Sequence, residues 1–284
     1  MSRNSRRAKQ APSPGGAPLP PQPQAQNNPF GLSFVVSTET VKLPSKGRFY
    51  PESSSLHGVA ELQIKHLTAK EEDILANEDN LARGDVFDVL INSILIDKSI
   101  DSSELLEGDK MALLIAARIT GYGSDYVIEG LCPACKKVNQ FTFNLEKCLE
   151  EQENTLPEGV TEEDGVFRFA GETENLEFGI RVLNSADKDY LSKQKDRRGE
   201  LRINGSETID FLNMVVVDVN RVTDTALLNK LFDVLSIADV RKIKSNYAKI
   251  SPSVNIVQSV ECSGCGHVSE RQVPFSLGFF WPEL

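Results

Sequence analysis

Apolar and polar positions recur in two different periods along this chain, and each change of period marks an element. Residues 33–36 form a short β-type run, and residues 41–51 read as an extended segment with a turn at 44–47. Over 59–66, Val59, Leu62 and Ile64 stand between polar neighbours, which predicts a strand. Thr68-x-x-Glu71 is a capping-box signature that opens a helix over 69–76. Its Glu71, Glu72 and Asp73 fall in the first turn, where the helix dipole favours acids. Asp85 reads as the N-cap of a second helix, because Phe87, Leu90, Ile91, Ile94 and Leu95 have the spacing of one buried face. Asp109 reads as the start of a third, with Met111, Leu114, Ile115 and Ile119 on one side and Gly121 and Gly123 ending it. Residues 126–131 and 138–143 predict a hairpin with Cys132 and Cys135 at its tip.

The second half is less regular. Residues 146–165 are acidic and aperiodic and read as an exposed connection, followed by β-type runs at 166–169 and 176–183. Ser185 or Asp187 caps a short helix through Leu191, and 195–199 form a charged loop. Residues 209–217 are so apolar that helix and buried strand fit equally. Leu227, Leu231, Val234 and Leu235 define a helix face, and Asp239 caps a further helix carrying Val240, Ile243 and Tyr247. Residues 254–260 and 268–275 predict strands on either side of Cys262 and Cys265. The pattern contains no internal repeat.

Composition changes the picture mainly at the N-terminus. Seven of the 14 prolines fall in residues 1–30, among Gln, Ala, Gly and Ser, so this stretch predicts a disordered, extended tail, either a plain terminus or a basic docking peptide. It carries Arg3, Arg6, Arg7 and Lys9 and no acid, which leaves −14 for the remainder against −10 for the whole chain of 284 residues. A body this acidic argues against a broad surface for nucleic-acid phosphates. No apolar run approaches the length that spans a bilayer, and no apolar stretch follows the N-terminal basic residues as in a secretory signal, so the chain is expected in a cytoplasm.

The candidate chemistry lies in Cys132-Pro-Ala-Cys135 and Cys262-Ser-Gly-Cys265, which stand 126 residues apart. In a reducing compartment such pairs bind metal or exchange electrons rather than form structural disulfides. Two residues between cysteines let both thiolates meet one ion, and two such knuckles fill a tetrahedral zinc site with Zn–S of about 2.3 Å. Gly264 and Gly266 supply the positive φ that a knuckle often needs. Cys132, Cys135, Cys262 and Cys265 are therefore the candidate ligands of one structural zinc, and the cost of closing so long a loop grows only logarithmically. A redox centre of the thioredoxin kind would place one pair at a helix N-terminus, and here both lie in hairpins. His267 either replaces Cys265 or binds nothing, and Cys148 reads as a small buried residue. The expected fold is α+β: a helical N-terminal half, β-hairpins forming a discontinuous zinc ribbon, and the Pro-rich tail. Its expected divisions are 1–30, 31–145 with the first knuckle, 146–253 as an excursion or second lobe, and 254–284 with the second knuckle.

Enzymatic signatures are missing. There is no phosphate-binding Gly-rich loop, no Gly-x-Ser-x-Gly and no His-Glu-x-x-His, and His57, His66 and His267 have no suggestive local partner. A non-enzyme without a small-molecule substrate is expected. Apolar side chains near the termini point instead to protein contacts. Phe279, Phe280 and Trp281 either dock on the chain's own core or face a partner, and Leu43, Phe49 and Tyr50 pose the same alternative. These six are the candidate partner-binding residues.

Several segments together resemble a known family. They are Leu-Pro-Ser-Lys-Gly-x-Phe-Tyr at 43–50, Leu-Thr-x-x-Glu-Glu-Asp at 67–73, Asp-x-x-Asp-x-Leu-Ile at 85–91 and Leu-Leu-x-Gly-Asp-x-x-x-Leu-Leu at 105–114. A Tyr-Gly-x-x-Tyr turn then leads into the first cysteine pair, and a Phe-Phe-x-Pro end closes the chain. The set is similar to the baseplate hub and tail-assembly proteins of contractile-tailed bacteriophages of the T-even-like type. The likeness covers 43–135 well, the C-terminal knuckle more loosely and 150–254 not at all. It implies a baseplate hub component or a tail-assembly chaperone whose partners are other phage hub or tail proteins. Such a protein would work in the host cytoplasm during assembly, whether or not it is retained in the virion. The competing reading is a zinc-ribbon protein that binds nucleic acid or assists transcription.

Overall fold

A computed structural model of the chain describes residues 36–151, 156–184, 187, 190, 206–275 and 277–280. The described residues from Ser37 onward form one compact unit. The tail expected over 1–30, most of the β-type run at 33–36, most of the short helix expected up to Leu191, and the loop at 195–199 lie outside the described residues.

The fold is α+β, built from small antiparallel sheets rather than one large one. Strand β1 (Thr38–Lys42) pairs with β2 (Glu61–Lys65), with Val41 opposite Leu62. Helices α1 (Ala69–Ala76), α2 (Glu78–Arg83) and α3 (Val86–Ile94) follow. The second of these has no counterpart in the pattern reading, since its sequence EDNLAR carries almost no apolar stripe.

Helix α4 (Glu107–Tyr122) is the centre of the first hydrophobic cluster. Ala112, Leu113, Leu114, Ile115, Ala116 and Ala117 are all buried, so this segment is covered on every side and the amphipathic face expected of it disappears. Its N-cap is Leu106, not Asp109, which sits inside the first turn because its carboxylate serves a tertiary contact described below. Gly123 ends the helix at φ 84°.

Strands β3 (Asp125–Leu131) and β4 (Val138–Asn144) form the first cysteine hairpin, and β9 (Val257–Glu261) and β10 (Val268–Gln272) the second. The last strand stops at Gln272, short of the run expected through residue 275.

Between the hairpins, β5 (Thr161–Glu163), β6 (Val166–Ala170), β7 (Glu177–Ile180) and β8 (Val216–Val219) form one antiparallel sheet in chain order. The stretch expected to be a plain connection therefore contains a short helical turn (Leu145–Cys148) and a strand. The ambiguous run at 209–217 resolves into both alternatives in series: α5 (Glu207–Val215) passes directly into β8.

Helices α6 (Thr225–Phe232) and α7 (Ile237–Ile250) complete this half and bury Leu228, Phe232 and Ile243 against the sheet in a second cluster. Of the face expected from Leu227, Leu231, Val234 and Leu235, Leu231 and Leu235 pack against this cluster, whereas Leu227 and Val234 remain 55% and 78% exposed and Leu228 and Phe232 are buried. The cap of α7 is Ser236; Asp239 sits three residues in, exchanging hydrogen bonds with it. Asp239 also accepts from the backbone of Glu172 and Thr173, which ties the helix to the β6–β7 turn. Phe49 packs against both clusters, its ring 5.7 Å from that of Phe167.

Candidate metal centre

The two knuckles share one backbone design. In the first, Cys132 N–H donates to Lys137 C=O at 2.9 Å and Lys136 N–H returns to Cys132 C=O at 3.1 Å. In the second, Cys262 N–H donates to His267 C=O at 2.9 Å and Gly266 N–H to Cys262 C=O at 2.9 Å. The residue after each second cysteine is left-handed, Lys136 at φ 57° and Gly266 at φ 71°. The expectation for Gly264 needs correction: its backbone is not left-handed, and its lack of a side chain serves the close approach of Asn139 from the other hairpin.

The hairpins lie side by side. Gln258 bridges them, accepting from Asn144 N–H at 3.1 Å and donating to Asn144 C=O at 2.7 Å. Ser263 exchanges hydrogen bonds with the backbone of Gln140. Arg271 lies 3.7 Å above the centre of the Phe141 ring and donates to Leu131 C=O at 2.6 Å. None of these tethers is visible in local sequence, because each joins residues more than a hundred positions apart.

This packing brings the sulfurs of Cys132, Cys135, Cys262 and Cys265 within 4.8 Å of one another. The Cys132 and Cys265 sulfurs are 3.8 Å apart, matching the edge of a tetrahedron with metal–sulfur bonds of about 2.3 Å, roughly 3.8 Å. The first cysteine of each pair is buried and the second is more open. The Cys135 N–H holds the Cys132 thiol down to about 6, with the Ala134 N–H and the Cys262 and Cys135 thiols adding to it against burial. The His267 N–H would lower the Cys265 thiol, but burial and the three other sulfurs outweigh it and push it up to about 11. Four crowded sulfurs therefore oppose full ionisation unless a cation sits among them. Asn139 donates to the Cys135 sulfur at 3.3 Å, an outer contact of the kind that orients a metal ligand. The side chain of His267 is exposed and outside the cluster. Cys148 is buried, and burial raises its thiol despite a hydrogen bond from Gln258.

The candidate partner-binding residues take another place. Leu43, Tyr50, Phe279 and Phe280 are buried in the first cluster, Phe49 is half-buried, and Trp281 lies outside the described residues. Two buried polar groups on α4 hold them there. At one end, Asp109 accepts from Ser45 N–H at 2.9 Å, from Ser45 Oγ at 2.6 Å and from Tyr50 O–H at 2.6 Å. Leu106 N–H, at the helix N-cap, donates to the Tyr50 oxygen at 2.9 Å. Burial pushes the Asp109 carboxyl up, and the Ser45 and Tyr50 hydrogen bonds partly counter it. Gly47, at φ 73°, packs on the backbone of Val59 with no room for a side chain. At the other end, Arg118 is 1% exposed and donates to Phe279 C=O at 2.8 Å and Gly123 C=O at 3.0 Å. Its guanidinium also lies 5.0 Å from the Tyr122 ring centre and 5.8 Å from that of Tyr126.

The α+β body thus brings together four cysteines from two hairpins distant in sequence and turns Tyr50, Phe279 and Phe280 inward. The family described as T4 bacteriophage base plate protein matches residues 35–281, and the chain belongs to it. No curated protein and no solved structure matches the chain.

Proposed function

We propose that this chain is a non-enzymatic hub component or assembly chaperone of the phage tail baseplate, and that Cys132, Cys135, Cys262 and Cys265 bind one structural zinc in a discontinuous ribbon. The observation that carries the zinc reading is the convergence of four sulfurs, from pairs 126 residues apart, within 4.8 Å of one another. Four thiolates leave no open coordination position, so the ion joins the two hairpins rather than acting on a substrate. Membership in the baseplate family supports the assembly role, and it makes other hub or tail proteins the natural partners. The place of action is then the host cytoplasm during assembly.

Metal analysis of the purified protein tests the zinc. The expected result is one zinc per chain, lost together with much of the thermal stability in Cys262→Ser. A folded, metal-free wild type would end the reading. The assembly role is tested by deleting the reading frame: defective tails are expected, and normal particles would refute it. Immunolabelling of finished virions then separates a retained component from a chaperone that leaves.

A further inference from the structure

On a body with net charge −14, one cleft gathers positive charge. It lies between α1, α3 and the segment after α3, has a volume of about 550 Å3, and is lined by Lys65, Lys70 and Lys98 above an apolar floor that includes Ile74, Val89 and Ile96. Its wall is fixed by main-chain bonding: Leu95 bridges Ile64 of β2, and Ile96 N–H donates to Gln63 C=O at 3.0 Å. Ile96 itself is 45% exposed.

The three lysines are differently committed. Lys65 pairs with the buried Glu71 at 2.6 Å. Lys98 caps the end of α3, donating to Asn92 C=O at 2.7 Å and Ser93 C=O at 3.0 Å. Lys70 is exposed and has no acidic partner among the described residues. The neighbouring Asp97 is occupied by Ser99, whose N–H and hydroxyl it accepts at 2.9 and 2.7 Å. Burial lowers the Lys98 pKa first, and the nearby Lys65 and Lys70 charges lower it further, against Glu71. The cleft thus holds three like charges against the buried Glu71, itself shared with Thr68 and Ser93, with the carboxylate of Asp97 beside it.

We infer that this cleft is a docking site for an acidic segment of a partner protein that also presents an apolar side chain to the floor. Charge complementarity selects carboxylates, since the three lysines attract acids locally while the acidic body around them disfavours a broad anionic surface. The apolar floor selects a peptide over a phosphate backbone, which has nothing to place on Ile74, Val89 and Ile96. The inference rests on reading the chain as an assembly component, but binding by the purified chain tests the cleft apart from assembly.

The experiment is selection of short random peptides displayed on a carrier against the full-length protein, with counter-selection on Lys70→Glu. Enriched peptides are expected to carry two or more acids beside an apolar residue. Synthesised, they should bind wild type about tenfold more tightly than Lys70→Glu, and lose affinity as salt rises. A second variant, Ile96→Ser, exposed and outside the charge cluster, should weaken the same peptides while leaving the melting temperature unchanged. Failure of enrichment, enrichment of neutral or basic peptides, or equal binding to Lys70→Glu would overturn the proposal. So would salt-sensitive binding of oligo-dT that Lys70→Glu abolishes, or self-association in analytical ultracentrifugation that the same variant removes, since each would assign the cleft to another occupant.

Discussion

The two ends of α4 hold two distant pieces of chain by opposite means. At its N-terminal end a buried anion, Asp109, collects hydroxyls and an N–H from the loop at 45–50. At its C-terminal end a buried cation, Arg118, collects carbonyls from Phe279 and Gly123. Asp109 lies in the first turn, where the helix dipole favours an acid, whereas Arg118 lies just before the last turn and acts through its hydrogen bonds, so one helix offers an acceptor towards one end and a donor towards the other. The difference lies in what each receives. The Asp109 side is a tight hydrogen-bonded knot on a glycine turn, whereas the Arg118 side is a guanidinium among aromatic faces, with Phe275 and Phe279 rings 4.3 Å apart beside it. A polar residue in a core can thus organise a loop through directed bonds or a hydrophobic segment through carbonyl capture.

The largest expected effect comes from Arg118→Ala. It opens a cavity and strands the buried Phe279 carbonyl, so a loss of about 4 kcal/mol is expected in chemical denaturation. Hydrogen exchange should show deprotection concentrated in the second cysteine hairpin and the C-terminal turn. Asp109→Asn keeps the shape but replaces one acceptor oxygen with a donor, and should cost about 2 kcal/mol, with deprotection confined to the loop at 43–50. If either variant loosened both segments equally, the two ends of α4 would be one clamp rather than two. The double variant sharpens the point: independent clamps predict additivity within about 0.5 kcal/mol. Tyr50→Phe should cost about 1 kcal/mol, since Leu106 N–H and Asp109 each lose one partner but the ring stays packed.

A further effect is read in acid. Burial pushes the Glu71 carboxyl up, but hydrogen bonds from Lys65, Ser93 and Thr68 outweigh it and hold it at about 2, below its usual 4.5. Its stabilisation is therefore complete above pH 4.5 and lost as pH falls through about 2. Glu71→Gln should flatten that part of a stability–pH curve. Asp109 has the opposite sign, because its raised carboxyl is easier to protonate in the folded chain, so Asp109→Asn should leave the acid loss in place.

Local chemistry made much of this legible. The carboxylate of Glu71 returns to Thr68 as the capping box predicts, and both cysteine pairs sit at hairpin tips. The reading failed where a side chain works over distance. Asp109 resembles a helix cap because an acid near a helix start normally is one; its tertiary partners lie 59 and 64 residues away. The aromatic segment at 279–281 leaves docking on the chain's own core and facing a partner both open for the same reason: nothing near Phe279 in sequence announces Arg118, 161 residues upstream. Asn139, which closes on the second knuckle, is equally silent in a strand of alternating residues. The face of α6 is half legible: Leu231 and Leu235 pack as the stripe predicts, but Leu228 and Phe232 take the places expected of Leu227 and Val234.

Asn144 closes β4, and Gln258, two residues into β9, bonds to both its N–H and its C=O. The chain therefore departs from the cysteine cluster and comes back at one doorway. A segment whose entrance and exit are hydrogen-bonded to each other can grow, shrink or be exchanged without displacing what it interrupts. The four-stranded sheet and its helices occupy that position, as a cassette set into a two-hairpin frame would. Diversity among members of this family should then accumulate inside the doorway, while the frame around α4 and the four sulfurs sets the common geometry.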